Sequence, residues 1–291
     1  MWQKTAKILK AYWAYMVCAG FYFSIAVSTM DIIINRQPIH DFVSKPIIVL
    51  ITVLLYAVCI CLAFSKHGER ILRYVKGAYE IETEEDKEQL LPLFEEVYRE
   101  AIESNPHIGS DVKLYIAENI SIEVYAFGKN TIVATRGAVD TFTPEELKGI
   151  FAHEFGHIAS GDTKVLLIHL IGNSFFLFTM FCCRKISKVL KDISDYLFGS
   201  IWGLMVLVAK ALVDYTIFVY TFIGDTIITL NSRKNEITAD DFAHDLGYGE
   251  ELKSALKVLK KFSVHGKVRL LERLKATHPH IGARIKNLEQ K

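Results

Sequence analysis

The 291-residue sequence has no excess of charge of either sign: 34 Lys and Arg stand against 33 Asp and Glu, a formal net charge of +1. Binding to nucleic acid draws on basic residues that displace counterions from phosphates, and this balance leaves no such footprint. Cysteine is scarce. Cys18, Cys59, Cys61, Cys182 and Cys183 all lie in apolar runs and none has CxxC spacing. That argues against a disulfide framework and against a cysteine zinc site. Long Pro/Gly/Ser-rich linkers and internal repeats are also missing. With 51% hydrophobic residues the chain is not of the disordered class. Its length suits one or two domains.

Long charge-free runs are present. Residues 11–30, 46–64 and 165–183 carry no charged side chain, and a fourth run, 196–224, is interrupted only by Lys210 and Asp214. About 18 or more apolar residues in a helix can cross a bilayer core of about 30 Å. Buried core helices of a soluble protein are the alternative. The first run follows Lys4, Lys7 and Lys10 but exceeds a signal-peptide core, so it reads as a retained anchor. Lys66, Arg70, Arg73 and Lys76 follow the second run, whereas the 31–45 loop has only Arg36 and Lys45. The positive-inside rule then puts the N-terminus and the polar parts on the cytoplasmic side. Arg184, Lys185, Lys188 and Lys191, between runs three and four, oppose a simple hairpin there. Lys210 and Asp214, at i and i+4, read as an ion pair in a membrane helix. His169 reads as a bundle histidine.

Two polar segments remain, 66–164 and 225–291. Leu90, Leu91, Phe94, Val97, Tyr98, Ala101 and Ile102 recur at helical spacing over 86–104, and Pro106 and Gly109 end the pattern. Strands are expected at Val112–Ala117, Ile120–Phe127 and Thr131–Thr135. Thr143 fits an N-cap, Pro144 the first helical position, Glu146 the reciprocal capping partner and Gly161 the C-cap, which predicts a helix over 144–160. Leu252, Leu256, Leu259 and Phe262, then Leu270, Leu271 and Leu274, suggest packed helices near the C-terminus.

The predicted helix contains His153-Glu154-Phe155-Gly156-His157. Histidines at i and i+4 share a face and can grip one zinc ion, while the glutamate between them can reach a zinc-bound water. Two unrelated histidines on a surface helix are the alternative; Phe151, Phe155 and Ile158 weigh against it, because they suggest a buried helix. Catalytic zinc needs a third protein ligand. Glu236 and Asp240 also stand at i and i+4. Glu236 can bind the metal while Asp240 accepts a hydrogen bond from a ligating imidazole. A solvated acidic face is the other reading of that pair.

With these residues the chain resembles the HtpX-like membrane zinc metallopeptidases, relatives of the CAAX prenyl proteases. Ala152 to His157 with Gly161-Asp162 resembles the first signature of that family. Glu236 to Asp240 resembles its ExxAD signature, with Ile237 in place of the common tyrosine. Thr277-His278-Pro279 with Arg284-Ile285 resembles its C-terminal element. The family usually has Asn-Ala-Phe in a strand before the zinc helix, where this chain has Tyr125-Ala126-Phe127. The departure at Tyr125 touches a position thought to contact substrate backbone.

The resemblance implies an α+β, mainly α, integral membrane protein with about four transmembrane helices and a gluzincin-type peptidase domain with a small sheet. Its expected parts are two membrane helices in 1–65, the HExxH half of the peptidase in 66–164, two further membrane segments in 165–224 and the third-ligand half in 225–291. One zinc ion is expected on His153, His157 and Glu236, with Asp240 behind a ligand and Glu154 as general base. His278 is the candidate oxyanion donor. Tyr125, Ala126, Phe127 and Arg284 are candidate substrate contacts, and strand 120–127 can pair with an extended peptide. Asp162 has no assigned role. Partners are protein or peptide substrates, above all membrane or misfolded proteins, and the lipid bilayer, with no nucleic acid. The location implied is the inner (plasma) membrane, multi-pass, with a cytoplasmic peptidase domain. A CAAX-type processing protease, a non-catalytic zinc scaffold or sensor, and a transporter are the competing readings. A transporter leaves the zinc residues unexplained, and a purely structural zinc has no need of Glu154.

Overall fold

The computed structural model describes residues 65–163, 234–263 and 281–291, together with isolated helical positions between 50 and 61 and between 181 and 218. The chain divides into two compact units, Met1–Ala63 with His169–Ile227, and Phe64–Ile168 with Ile228–Lys291.

In the first unit the described positions are helical. Leu50, Leu54 and Val58, spaced four apart, are 55–57% exposed, and Phe181, Val189, Tyr215 and Phe218 are 55–66% exposed. Among the described residues no helix is long and apolar enough to cross a membrane. The expected membrane segments, with His169 and Lys210, otherwise lie outside the described residues.

The second unit is a helix-rich α+β structure with one small sheet. Helix α1, Lys66–Lys76, starts on the Ser65 side chain, which accepts from the Gly68 N–H, and ends at Gly77 in the left-handed region. Strand β1 is Ala78–Glu80. Helix α2, Glu84–Ser104, buries Leu90, Phe94, Val97 and Ala101, the i, i+4, i+7, i+11 face that the sequence pattern marks. Strands β2 (Lys113–Ala117), β3 (Val124–Phe127) and β4 (Thr131–Thr135) follow, then α3, Arg136–Thr141. The sheet order is β1-β2-β4-β3, parallel between β2 and β4 and antiparallel elsewhere, so β3 is an edge strand.

Helix α4, Pro144–Ser160, has the bounds its caps predict. Thr143 and Glu146 form the reciprocal capping box, and Gly161 closes the helix with φ 79°. Eleven of its 17 residues are buried. Leu114, Ile116, Ala126, Ile132 and Ala134 form the sheet face that joins α2 and α4 in the core. The period of two puts Tyr115, Tyr125, Phe127 and Val133 on the other face. There Arg73 of α1 lies 4.6 Å over the Tyr115 ring, and Lys76 lies 5.7 Å from the Tyr125 ring centre.

The second polar segment forms a helical segment over 234–245 (α5), then α6, Gly249–Ser263, and α7, Ile281–Glu289. Leu252 and Leu256 are buried as expected, but Phe262 at the end of α6 is 58% exposed. Leu270, Leu271 and Leu274 lie outside the described residues.

The strand expected over 120–127 begins only at Val124. Upstream, Asn119 Oδ1 accepts from the Ser121 N–H at 3.0 Å, the Thr135 hydroxyl donates to the Ser121 carbonyl, and the Gly137 N–H donates to the Asn119 carbonyl. This Asx turn uses up the backbone groups a strand would need and leaves Ile120 at 95% exposure. The alternation of Ile120 and Ile122 imitates a strand because turn residues also alternate in polarity.

Candidate metal centre

Helix α4 carries His153, Glu154 and His157 into the interior. His153 and Glu154 are 3% and 5% exposed, and His157 is half-buried. Helix α5 brings Glu236 and Asp240 to the same place, at 3% and 0% exposure. The approach depends on Gly156. A Cβ there would stand 2.8 Å from Ala239 Cα, so only glycine lets α4 meet the backbone of the residue between Glu236 and Asp240.

One ligand atom from each of His153, His157 and Glu236 falls within 4.8 Å of the others. The two histidines meet each other and the two oxygens of Glu236 at short range. The two Nε2 atoms are 3.2 Å apart, His153 Nε2 is 3.5 Å from Glu236 Oε2, and His157 Nε2 is 3.4 Å from Glu236 Oε1. Two ligands at about 2.05 Å from a tetrahedral ion stand roughly 3.3 Å apart. Contacts of that size suit donors gathered around one ion, and two imidazoles with a carboxylate are a donor set suited to zinc.

Both imidazoles have a carboxylate at the opposite nitrogen. Asp240 Oδ1 is 2.9 Å from His153 Nδ1. Asp162 Oδ2 is 3.5 Å from His157 Nδ1 and accepts from the Ser160 hydroxyl at 2.6 Å. A proton held at each Nδ1 leaves Nε2 as the metal-facing lone pair. Burial disfavours a charge on His157, but hydrogen bonds to Asp162 and Glu236 and the nearby Glu154 carboxylate outweigh it and push its pKa up to about 10. The site thus favours positive charge at the spot where a divalent cation fits.

Arg284, on α7, is 5% exposed and closes the cluster from behind. Its Nη2 donates to Asp240 Oδ1 at 2.6 Å, its Nε to Asp240 Oδ2 at 2.9 Å, and its Nη1 lies 2.9 Å from Glu236 Oε2. Burial alone would raise the Asp240 pKa, but the hydrogen bonds from His153 and Arg284 outweigh it and hold it below the usual value.

Glu154 is fixed from the sheet side. Its Oε2 accepts from the Ala126 backbone N–H at 2.8 Å. The Thr135 N–H donates to the Glu123 carbonyl and the Thr135 hydroxyl accepts from the Glu123 N–H, so the odd residues of β3 face β4. The even residues then turn their backbone groups to the open edge, towards α4. Farther along that edge the Gly128 N–H donates to the Thr163 carbonyl, and the Thr163 hydroxyl to the Gly128 carbonyl. Tyr125 is half-buried, stacked on Phe127 with ring centres 6.2 Å apart, and burial pushes its phenol up. Phe127 is 1% exposed.

The structure thus gathers His153, Glu154, His157, Glu236, Asp240 and Arg284 at one centre, with Ala126 beside Glu154. His278 lies outside the described residues. Sequence reading had no role for Asp162, although its place just past the helix C-cap brings it back towards the last turn. It gave no sign of the Ala126 N–H, which is a backbone group.

Peptidase family M48 matches residues 88–291. The "Protease HtpX" of Pseudomonas savastanoi pv. phaseolicola is 29% identical over 179 residues, covering 59% of this chain and 55% of its own length. The protein of that name from Pseudomonas fluorescens is 26% identical over 220 residues, covering 69% and 71%. A "Protease HtpX homolog" of Bacteroides fragilis is 28% identical over 212 residues, covering 61% and 62%. The match therefore spans little more than half the length of the first of these relatives. Among solved structures, that of S. mikatae Ste24p overlaps at a TM-score of 0.47 and 16% identity, covering 96% of this chain and 66% of its own.

Proposed function

The chain belongs to peptidase family M48, and from that premise we propose that it is a zinc-dependent endopeptidase working at a membrane surface. The observation that carries the reading is the convergence of His153, His157 and Glu236, one ligand atom of each within 4.8 Å of the others, with Glu154 on the same helix as the two histidines. A zinc ion on those three side chains would supply Lewis-acid polarisation of a peptide carbonyl and acidify a water molecule.

The chain's own groups do the rest. Glu154 Oε2 is pinned by the Ala126 N–H, so Oε1 is the oxygen that takes a proton from the attacking water and passes it to the leaving amine. Asp240 and Asp162 orient the two imidazoles. Arg284 neutralises Asp240 and steadies Glu236. On the open edge of β3 the backbone groups of Val124 and the Ala126 carbonyl, the Ala126 N–H being held by Glu154, are the ones an extended peptide would pair with, and Thr163 stops that edge at Gly128. Tyr125 flanks the bound segment where relatives of this type usually have asparagine. His278 keeps the oxyanion role that the resemblance gives it.

The membrane part of the reading rests on sequence and exposure. Three charge-free runs are long enough to span, and the described apolar positions within and beside the runs are more than half exposed. His157 stands only eight residues before Val165, where the third run begins in the sequence. Membrane proteins and misfolded chains presented at that surface are the substrates this placement favours. Loop charges favour the cytoplasmic side for the peptidase unit, and the family resemblance favours the plasma membrane.

The test compares the full chain with Glu154→Gln, both purified in detergent under chelation and then given zinc, with self-cleavage and casein cleavage as readouts. Zinc-dependent cleavage by the natural sequence alone is the expected result. Cleavage by both marks a contaminant, and silence from both with zinc bound overturns general endopeptidase activity.

A further inference from the structure

Helix α1 has two finished faces. The inner one is fully engaged with the sheet: Leu72 is buried, Glu69 accepts from the Lys129 N–H at 2.7 Å and the Thr131 hydroxyl at 3.0 Å, and Arg73 donates to Thr131 Oγ1 at 3.1 Å. The outer one carries Ile71, Tyr74 and Val75, at i, i+3 and i+4, exposed by 53%, 88% and 71%. Three large apolar side chains on one short face are more than scattered surface residues. Exposed Arg70 borders them, and the helix as a whole has four Lys and Arg against one Glu. An apolar stripe with a basic border suits the boundary between acyl chains and anionic headgroups.

We propose that the outer face of α1 lies in the headgroup layer of an anionic lipid membrane and holds the β3 edge at that surface. Continuity and charge select this occupant over a protein. The charge-free run 46–64 ends two residues before α1 begins, so a chain leaving the bilayer there starts α1 at headgroup depth. The same helix grips the β3–β4 hairpin through Glu69 and Arg73 and places Lys76 by Tyr125. Anchoring α1 therefore sets the height of the strand that holds Glu154. The inference rests on the membrane reading above.

Hydroxyl-radical footprinting of the full chain in nanodiscs tests it. One set of discs is phosphatidylcholine and the other an equal mixture with phosphatidylglycerol. Oxidation of Tyr74 is read against Tyr79, on β1 of the same unit, and Tyr215, in the fourth apolar run. Tyr74 should be oxidised several-fold less in the anionic discs than in the neutral ones, and Arg70→Glu should erase the difference. Tyr74 equally reactive in both discs while Tyr215 is protected overturns the proposal and leaves the membrane reading standing. Tyr74 protected equally in both, with no effect of Arg70→Glu, also overturns it, since a protein cover or a purely apolar contact then explains the face. Tyr215 as reactive as Tyr74 in both discs defeats the membrane reading itself.

Discussion

Glu154 and Ala126, 28 residues apart, meet through a 2.8 Å hydrogen bond from the Ala126 N–H to Glu154 Oε2, and this one contact joins the zinc-binding helix to the open edge of the sheet. It fixes where the proposed base sits relative to the strand on which a peptide would lie. Glu154→Asp keeps the charge but withdraws the carboxylate by one methylene, out of reach of that N–H. Displacements of about 1 Å at a reacting group cost roughly 100-fold in rate. The expected outcome is a loss of that order in kcat for casein cleavage with zinc affinity little changed, measured by steady-state kinetics beside a competitive zinc titration. Unaltered kcat would mean the Ala126 contact does not position the base.

Arg284→Met should be strongly destabilising without metal and much less so with it. The guanidinium faces Asp240 and Glu236, all three side chains being 6% exposed or less. Removing one partner of a buried ionic cluster costs about 3–5 kcal/mol, because the opposite charges are left uncompensated. A zinc ion on Glu236 would replace part of the lost positive charge. Thermal unfolding of variant and natural chain, with chelator and then with excess zinc, measures the two gaps. Equal gaps would show that Arg284 and the metal do not share the same acidic ligands.

How far the centre can be read in the sequence follows from how local each of its parts is. The limits of α4 are written in Thr143, Pro144, Glu146 and Gly161, which act within one turn of each helix end. His153 with His157, and Glu236 with Asp240, are legible for the same reason: an i, i+4 pair on a helix shares a face whatever the tertiary fold. Arg284 is 44 residues from Asp240, and nothing in its neighbourhood tells a buried counter-ion from a substrate-binding group. The true start of β3 depends on Thr135, which captures Ser121 and Glu123 from the far end of the neighbouring strand. Short-range pattern sees alternation there and cannot see the capture.

Gly156→Ala should weaken metal binding as well as the fold. The added methyl would stand 2.8 Å from Ala239 Cα and 3.0 Å from its carbonyl oxygen, both backbone atoms. Relief requires α5 to move, and α5 carries Glu236 and Asp240. Overpacking of this kind costs about 1–3 kcal/mol. Zinc affinity should fall in the same variant, since the carboxylates shift away from histidines fixed on α4. Gly149→Ala is the control: it meets the Leu252 N position at 2.3 Å, on α6, and should destabilise the fold without that effect on affinity. Equal loss of zinc affinity in the two variants would remove the specific role given to Gly156.

Acid should weaken the peptidase unit through a second ion pair, away from the metal. Arg136 donates through Nη1 and Nη2 to the two oxygens of Asp86, at 2.7 and 2.9 Å, near the start of α2. Those hydrogen bonds, helped by Thr83 and opposed by burial, hold the Asp86 pKa at about 2, below its usual 3.8. A carboxylate lowered on folding adds stability that is fully present above its unfolded pKa and is lost as pH falls through the folded one. The loss therefore runs from about pH 5 down to pH 2 and, with solvent screening at this rim, is on the order of 1–2 kcal/mol. Unfolding midpoints of the natural chain and Asp86→Asn should converge on acidification through this window and stay apart, with the natural chain higher, at pH 7. A gap that stays constant down to pH 2 would show that the Asp86 carboxylate carries no such coupling.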